Sequence, residues 1–251
     1  MSNLAIIHGT GLENFPPMQG AKPQIVATPY GEATVYRQQY QGQELVFVPR
    51  HDAEHSLPPH LINYRANIWA LKQLDITEVI AFFCVGSLRQ EFAPGTLVLV
   101  NQFIDQTWGR EHTFSEQGRV IHSEQTEPYC QRSSQMLLQA AQQAKIELQY
   151  PATYICTQGP RLETAAEIRA YQSWGADIVG MTAVPETPLA REAGLCYSGV
   201  AIVANYGAGM AGSIDLAAIT QIMQQQNQRL EDLLAAYLAL PAKEDVCACC
   251  K

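Results

Sequence analysis

The stretch EVIAFFCVG, residues 78–86, is an almost unbroken apolar run. It is too short for a typical helix and is rich in β-branched and aromatic residues, as buried strands are. The run therefore predicts a buried strand, and the neighbouring segments of the chain indicate what kind of sheet it joins.

Six further segments have the same character. They are LAIIH (4–8), ELVFVP (44–49), TLVLV (96–100), TYIC (153–156), DIVGM (177–181) and GVAIVA (199–204). Segments whose apolar residues recur every three or four positions, as in amphipathic helices, lie between or beyond them: 61–74, 131–146, 163–174, 184–193 and about 215–238. Because strands alternate with helices and no linker or repeat divides the chain, we predict one α/β domain over residues 1–240. Its central β-sheet is expected to be mostly parallel or mixed and flanked by helices.

The composition argues against several classes of protein. Hydrophobic residues make up 47% of the 251 residues, and the formal net charge is -8. An acidic chain is a poor general binder of nucleic acids or membrane surfaces, and no apolar run is long enough to cross a bilayer. The N-terminal segment has no basic leader and no long apolar core, so we expect no signal peptide and a soluble cytoplasmic protein.

The seven cysteines fall into two groups. Those far apart in mostly apolar surroundings are expected to be buried reduced thiols: Cys84, Cys130, Cys156 and Cys196. The tail EDVCACCK holds Cys247, Cys249 and Cys250. A metal site there would need ligands from elsewhere in the chain. We expect residues 241–251 to form a flexible tail whose thiols oxidise adventitiously.

The segment RHDAEH, residues 50–55, contains the His-x-x-Glu-His spacing of some zinc proteases. That motif needs both imidazoles on one face of a continuous helix. Here His51 directly follows a predicted strand, and Pro58 and Pro59 come soon after His55, which leaves room for barely one helical turn. The sequence therefore disfavours a metalloprotease, and we expect no metal at these residues.

Small and polar residues follow several predicted strands. The segments are HGTGL (8–12), RH (50–51), CVGSL (84–88), GMT (180–182) and ANYGAG (204–209). Each alone can be an ordinary tight turn. In α/β sheets, however, ligands bind where strands end, and glycine-loop amides, hydroxyls, an arginine and a histidine are groups that bind a phosphate dianion.

Long segments of the chain resemble the trimeric nucleoside phosphorylases, in the branch that acts on methylthioadenosine and methylthioinosine. The likeness runs from IIHGTGL to about residue 238 and is carried by TPYGEA (28–33), RHDAEHSLPPHLINYRANIWALK (50–72), GSLRQEFAPGTLVLVNQFID (86–105), TQGPRLETAAEIRAYQSWGADIVGMTAVPE (157–186) and LAREAGLCY (189–197). It implies the nucleoside phosphorylase type I fold and phosphate-dependent cleavage of an N-glycosidic bond. Inorganic phosphate would be a co-substrate, no metal or organic cofactor is expected, and the assembly would be a homotrimer.

The resemblance also assigns a phosphate site. It implies phosphate contacts from Thr10, Arg50, His51 and Thr182 and from the backbone at Phe83 and Cys84. His51 is in addition expected to act in catalysis, and Met181 to pack under the ribose. The chain departs from the family at His8, where a glycine is common, and at Phe83, where relatives often carry a small or polar residue.

The base-binding residues indicate a 6-oxopurine. Relatives that act on methylthioadenosine have aspartates where this chain has Asn205 and Gly207, and an amide can donate to O6 and bond with N7. Glu163 matches the glutamate that accepts from N1–H in phosphorylases of inosine and guanosine, although it can also be read as a carboxylate at a helix start. Asn205 is therefore a candidate catalytic residue, with Leu162 and Tyr206 beside the base.

The 5′ end of the nucleoside is expected to meet apolar residues. Relatives that act on inosine and guanosine bind the 5′-hydroxyl with a histidine from a late helix, but this chain has no histidine after His122. The matching segment offers Leu216, Ala217, Ala218, Ile219 and Met223, which ordinary core packing also explains. An apolar pocket would favour a methylthio group over a hydroxyl.

We therefore expect phosphorolysis of S-methyl-5′-thioinosine to hypoxanthine and 5-methylthioribose 1-phosphate. The alternatives are an inosine-guanosine phosphorylase, a methylthioadenosine phosphorylase and a nucleoside-binding protein that lacks activity. By resemblance, a neighbouring subunit closes the sugar pocket with His112 or Phe114, from the segment TWGREHTF (107–114).

Overall fold

The computed structural model describes residues 3–12, 15–241 and 247. Nine strands and six helices are present in these residues. The strands are β1 Leu4–His8, β2 Lys22–Thr28, β3 Gly31–Tyr40, β4 Gln43–Pro49, β5 Glu78–Ser87, β6 Leu97–Gln106, β7 Leu148–Thr157, β8 Ile178–Gly180 and β9 Cys196–Tyr206. The helices are α1 Tyr64–Gln73, α2 Gln131–Gln143, α3 Ala165–Ser173, α4 Ala183–Ala193, α5 Leu216–Gln225 and α6 Asn227–Ala239. Single 3₁₀ turns occur at Pro16–Met18 and Pro59–Leu61.

All nine strands form one mixed sheet in the order β2-β3-β4-β1-β5-β8-β7-β6-β9. Strand β5, the apolar run of residues 78–86, lies near its centre and is buried at every position except Cys84. It pairs in parallel with β1 and β9 and antiparallel with β8. The predicted α/β fold with a mixed central sheet is confirmed.

The sheet closes on itself at one end. Strand β9 pairs antiparallel with β6 and also in parallel with β5, so β5, β8, β7, β6 and β9 form a ring of strands. Strands β1, β4, β5 and β9 run parallel, so their carboxyl ends meet at one edge of the sheet. The antiparallel pairing of Gly86 with Val179 brings the end of β8 to the same region.

Alternate residues of the central strands belong to different core clusters. In β1, Ile6 packs with side chains of α2 and α6, whereas Ala5 and Ile7 pack with those of α1 and α4. Burying one such aliphatic side chain contributes about 1.5–3 kcal/mol to stability. The two-residue repeat thus explains why the sheet carries helices on both faces.

Two features differ from the sequence-based expectation. The hairpin of β2 and β3 was not predicted, because it lies at the edge of the sheet and only alternate residues such as Ala33 and Val35 are buried. The predicted long C-terminal helix is wrong. It divides at Gln226, whose buried side chain accepts a 2.7 Å hydrogen bond from Arg229.

Three further expectations concern particular segments. Residues 51–55 form turns rather than a helix, and His55 has a left-handed φ of 54°. None of the helices in the described part of the chain has the length and apolar character needed to span a membrane. Most of the predicted tail lies outside the described residues. Among residues 242–251, Cys247 alone is described.

Candidate active site

The carboxyl ends of β1 and β4 bring the first glycine turn against Arg50 and His51. A Cβ atom placed on Gly9 would lie 3.1 Å from Nη1 of Arg50 and 3.2 Å from Cδ2 of His51. Contacts this short leave little room for a side chain. The glycine therefore lets the backbone of the turn approach the side chains of Arg50 and His51 closely.

Arg50 is held by a buried ion pair that the sequence pattern does not predict. Its Nε and Nη2 donate to the two carboxylate oxygens of Glu186 at 2.7 and 2.8 Å, and its Nη1 donates to the Phe82 carbonyl at 3.1 Å. The Tyr197 hydroxyl donates to the same carboxylate at 2.5 Å. Burial alone would lower the pKa of Arg50, but the Glu186 carboxylate raises it above its ordinary value. Arg50 is therefore a fixed cation whose Nη1 edge lies nearest to Gly9.

Three imidazoles surround this turn. Burial and the charge of Arg50 lower the pKa of His8 to about 3, and burial lowers the pKa of His51 to about 4. Nδ1 of His51 lies 2.8 Å from the Leu57 carbonyl, so its N–H donates there and Nε2 carries the lone pair. The ring of His55 stacks 4.5 Å from that of His51, and its Nε2 lies 3.2 Å from the Thr10 hydroxyl.

A cleft of about 210 Å³ opens beside these groups. It brings together most of the predicted site residues: Thr10, Arg50, His51, Cys84, Leu162, Glu163, Met181, Thr182 and Asn205. Phe83 is buried next to it, with the guanidinium of Arg50 lying 4.9 Å from its ring centroid, so its side chain faces the arginine. Groups suited to phosphate and groups suited to a base therefore share one cleft.

The two base-reading candidates are both anchored by hydrogen bonds. Nδ2 of Asn205 donates to the Tyr206 carbonyl at 2.7 Å, which engages one of its two N–H groups. Oε1 of Glu163 accepts from the Thr157 hydroxyl at 2.7 Å. Glu163 lies just before the capping box of α3, formed by Thr164 and Glu167, so it is not the capping residue itself. Both side chains have polar groups left for a ligand.

Three predicted substrate residues do not line the cleft. The Tyr206 hydroxyl donates to the Gln90 carbonyl at 3.1 Å. A Cβ on Gly207 would lie 3.1 Å from both Ile168 and Leu88, so an aspartate has no room there without movement of these side chains. Ala218 also lies outside the lining, whereas Leu216 and Ile219 line the cleft, because residues three apart share one face of a helix.

The structure corrects one of the two residues expected from a neighbouring subunit. Phe114 is 1% exposed and packs against Tyr30 and Trp69 of its own chain, so it is not available to a neighbour. His112 is exposed, with Nδ1 lying 3.2 Å from the Arg110 carbonyl.

Arg110 is a second residue beside the cleft whose role the sequence pattern does not predict. Its buried guanidinium donates to the carbonyls of Met181, Val184 and Gln158 at 2.7–2.8 Å. It thereby ties the segment that follows β8 to the end of β7. The segment TWGREHTF does not indicate this role for Arg110, because the carbonyl groups that it binds lie far away along the chain.

Comparison with known proteins identifies the family. The family model described as the phosphorylase superfamily matches residues 3–239. The chain is 42% identical over 257 residues to the 6-oxopurine nucleoside phosphorylase of Pyrococcus furiosus, covering 99% of this chain and 97% of that one. It is 36% identical over 250 residues to the S-methyl-5′-thioadenosine phosphorylase of Nitrosopumilus maritimus, covering 99% and 95%.

A solved structure shares the same fold. The methylthioadenosine phosphorylase of Schistosoma mansoni in complex with adenine superposes with a TM-score of 0.90 at 32% identity, covering 95% of this chain and 91% of that chain. The nucleoside phosphorylase fold predicted from the sequence is thus confirmed. The chain belongs to the phosphorylase superfamily and is a phosphate-dependent purine nucleoside phosphorylase, a pentosyltransferase of purine salvage.

Proposed function

We propose that this enzyme phosphorolyses S-methyl-5′-thioinosine to hypoxanthine and 5-methylthioribose 1-phosphate. The reaction needs inorganic phosphate as co-substrate and no metal or organic cofactor. The observation that carries the proposal is one cleft that combines Asn205 and Glu163 with the apolar side chains of Leu216 and Ile219. The first pair suits a 6-oxopurine, and the second pair suits a methylthio group.

At the phosphate end of the cleft, the side chains are suited to bind the phosphate dianion and to orient it as the nucleophile. The hydroxyls of Thr10 and Thr182 and the Nη1 edge of Arg50 offer donors to phosphate oxygens. Neutral His51 presents a lone pair at Nε2, so it is suited to accept from the P–OH group of hydrogen phosphate. Its role is to orient the oxygen that attacks the sugar.

Cleavage of the glycosidic bond builds positive charge on the ribose and negative charge on the departing base. Phosphate beneath the sugar stabilises the cation and then captures it at C1′, so positioning and electrostatics supply most of the catalysis. The second N–H of Asn205 donates to the O6 and N7 edge as charge develops there. Glu163 accepts from N1–H, which adenine lacks, so adenine would leave this carboxylate unpaired.

Two related activities compete with this proposal. An enzyme for inosine and guanosine is favoured by the name of the P. furiosus relative, 6-oxopurine nucleoside phosphorylase. That activity requires a donor or acceptor for the 5′-hydroxyl, and Leu216 and Ile219 offer none in their side chains. A methylthioadenosine phosphorylase is favoured by the S. mansoni structure, but Asn205 and Glu163 argue against a 6-amino purine.

The test compares kcat/KM for methylthioinosine, methylthioadenosine and inosine at saturating phosphate. We expect methylthioinosine to exceed each rival by about tenfold or more, the scale of one mismatched polar group. A higher value for inosine would make the enzyme a general 6-oxopurine phosphorylase. A higher value for methylthioadenosine would overturn the assignment of the base-reading residues.

The proposed enzyme acts in the cytoplasm as a homotrimer. His112 is exposed, and we propose that His112 of a neighbouring subunit contacts the sugar in the pocket. Sedimentation of the active protein should give a trimer, and His112→Ala should raise the nucleoside KM without changing the sedimentation. A fully active monomer would contradict both statements.

A further inference from the structure

Three cysteines from distant parts of the chain meet at the end of the sheet opposite the cleft. Cys130 precedes α2, Cys196 begins β9, and Cys247 follows α6. Their Sγ atoms all lie within 4.8 Å of one another, and those of Cys130 and Cys247 are 3.3 Å apart. A Zn²⁺ ion with Zn–S bonds of about 2.3 Å holds its sulfur ligands about 3.8 Å apart. The observed Sγ–Sγ distances, 3.3 Å for one pair and at most 4.8 Å for the others, are therefore close to the separation that one Zn²⁺ ion requires.

The surroundings favour thiolates, the form that binds metals. Sγ of Cys130 accepts from the Ser133 N–H at the start of α2, where unsatisfied N–H groups stabilise negative charge. Nη2 of Arg132 lies 3.4 Å from Sγ of Cys196.

We propose that Cys130, Cys196 and Cys247 bind a thiophilic metal ion, Zn²⁺, which fastens Cys247 to the start of α2 and the start of β9. Three thiolates around a divalent ion leave one net negative charge, and the Arg132 guanidinium, which also lies 3.8 Å from the buried Glu78 carboxylate, is the cation beside them. Three protein ligands leave the fourth position of a tetrahedral ion open to water or to a further thiol.

The position in the fold assigns this ion a structural role. Cys196 pairs with Glu78 at the amino ends of β9 and β5, whereas Asn205 and Gly86 pair near their carboxyl ends, beside the cleft. The strands are about ten residues long, which puts roughly 25–30 Å between the two ends. The metal is therefore expected to stabilise the protein and to leave phosphate and nucleoside binding unchanged.

A disulfide is the rival use of these thiols. The Sγ atoms of Cys130 and Cys247 would have to move from 3.3 Å to about 2.05 Å, and the bond would exclude Cys196. An ion engages all three sulfurs and requires no oxidant. The two outcomes are distinguished by the metal content and by the redox state of the thiols.

The experiment uses the full chain, reduced and freed of metal with a chelator, then incubated with Zn²⁺ and desalted. We expect about one Zn²⁺ per chain, a Tm higher by about 5 °C that the chelator reverses, and Zn²⁺-dependent protection of half-buried Cys247 from alkylation, because Cys130 and Cys196 are already buried. Co²⁺ in place of Zn²⁺ should give the absorption of thiolate-bound tetrahedral cobalt. The KM for phosphate should be the same with and without Zn²⁺.

Cys196→Ser and Cys247→Ser should each lose the metal and the Tm increase, whereas the control Cys84→Ser, far from the cluster, should retain both. The protection experiment needs no variant and stands even if a substitution prevents folding. Failure of the wild type to retain Zn²⁺, metal retention by Cys196→Ser, or a Cys130–Cys247 disulfide in freshly isolated protein would each overturn the proposal. None of these outcomes depends on which nucleoside the enzyme prefers.

Discussion

At the residue scale, the proposed substrate choice depends on the hydrogen bonds that a few polar side chains already make within the protein. Asn205 uses one N–H on the Tyr206 carbonyl, so its amide is oriented before a base arrives. Pre-orientation of this kind reduces the reorganisation needed when charge develops on the base. An aspartate at this position would face the same carbonyl with a negative charge and lose the anchor.

Asn205→Asp tests this role. We expect kcat/KM for methylthioinosine to fall by about 10²-fold, the scale of losing one strong transition-state hydrogen bond. Activity on methylthioadenosine should fall less or rise, because a carboxylate accepts from a 6-amino group, although Glu163 still disfavours adenine. The control is Asn3→Asp, since exposed Asn3 also donates from Nδ2 to a backbone carbonyl, that of Asp75, at 2.9 Å. An unchanged ratio of the two substrates in Asn205→Asp would contradict the assignment.

Arg50 combines a proposed phosphate-binding role with a structural one, its buried ion pair with Glu186. Arg50→Ala removes a charge-assisted contact worth about 1.5–3 kcal/mol, so the phosphate KM should rise about tenfold or more. It also leaves the Glu186 carboxylate buried without its partner, which should cost about 3–5 kcal/mol of unfolding free energy.

The ion pair of Arg37 with Glu44 supplies the control for Arg50. It is solvent-exposed, so Arg37→Ala should cost less than about 1 kcal/mol. Arg50→Lys keeps the charge but cannot donate to both carboxylate oxygens as the guanidinium does. Its loss of unfolding free energy should lie between those of Arg37→Ala and Arg50→Ala. Phosphate kinetics below the Tm and urea unfolding separate binding from stability. A normal phosphate KM in folded Arg50→Ala would remove the arginine from the site.

At the element scale, the amphipathic and apolar patterns predicted most strands and helices because burial imposes their periods. The hairpin of β2 and β3 escaped prediction, since an edge strand needs few apolar residues. The break at Gln226 escaped too, because the apolar spacing continues across it while the chain changes direction. Most residues of the cleft were predicted from the family resemblance and from the small and polar residues that follow the strands. Glu186 and Arg110 were not predicted, because the partners of a buried charge lie far away in the sequence and leave no periodic pattern near it.

The position of α5 is fixed by the first glycine turn. Gly11 has a left-handed φ of +80°, and a Cβ there would lie 2.3 Å from Cβ of Met223, which is buried on α5. The same helix brings Leu216 and Ile219 to the cleft. Under the proposed function, the turn would therefore set both the backbone that binds phosphate and the distance from it to the pocket for the 5′ group.

Gly11→Ala should displace α5 and raise the KM for the nucleoside by roughly tenfold, the effect of about 1.4 kcal/mol, within the usual cost of overpacking. The matched control is Gly42→Ala, where φ is +78° but no atom lies within 4 Å of the added Cβ. Both variants carry the same backbone strain, and only Gly11→Ala carries the clash. Steady-state kinetics and Tm on both variants measure the difference. An equal KM in the two would show that the contact with Met223 does not position the helix.

At the scale of the whole molecule, the buried imidazoles make stability depend on pH. The pKa of His8 is about 3 and that of His51 about 4 in the folded protein, against an ordinary value of 6.5. Between these values the unfolded chain binds protons that the folded protein does not. Protonation therefore favours unfolding, and the stability present above pH 6.5 is lost as the pH falls towards the folded pKa values.

Replacing His8 should weaken this acid sensitivity. A single proton bound only on unfolding changes the unfolding free energy by about 1.4 kcal/mol per pH unit. His8→Leu removes one such proton, together with two ring nitrogens that have no hydrogen-bond partner among the described residues. Urea unfolding between pH 4.5 and 6.5 should therefore show a shallower slope for His8→Leu than for wild type, by up to that amount. His122→Leu, at an exposed histidine, should keep the wild-type slope. If His8→Leu loses stability on acidification as steeply as wild type, then His8 binds its proton equally in the folded and unfolded protein. The burial of a neutral His8 beside Arg50 would then not be the source of the acid sensitivity.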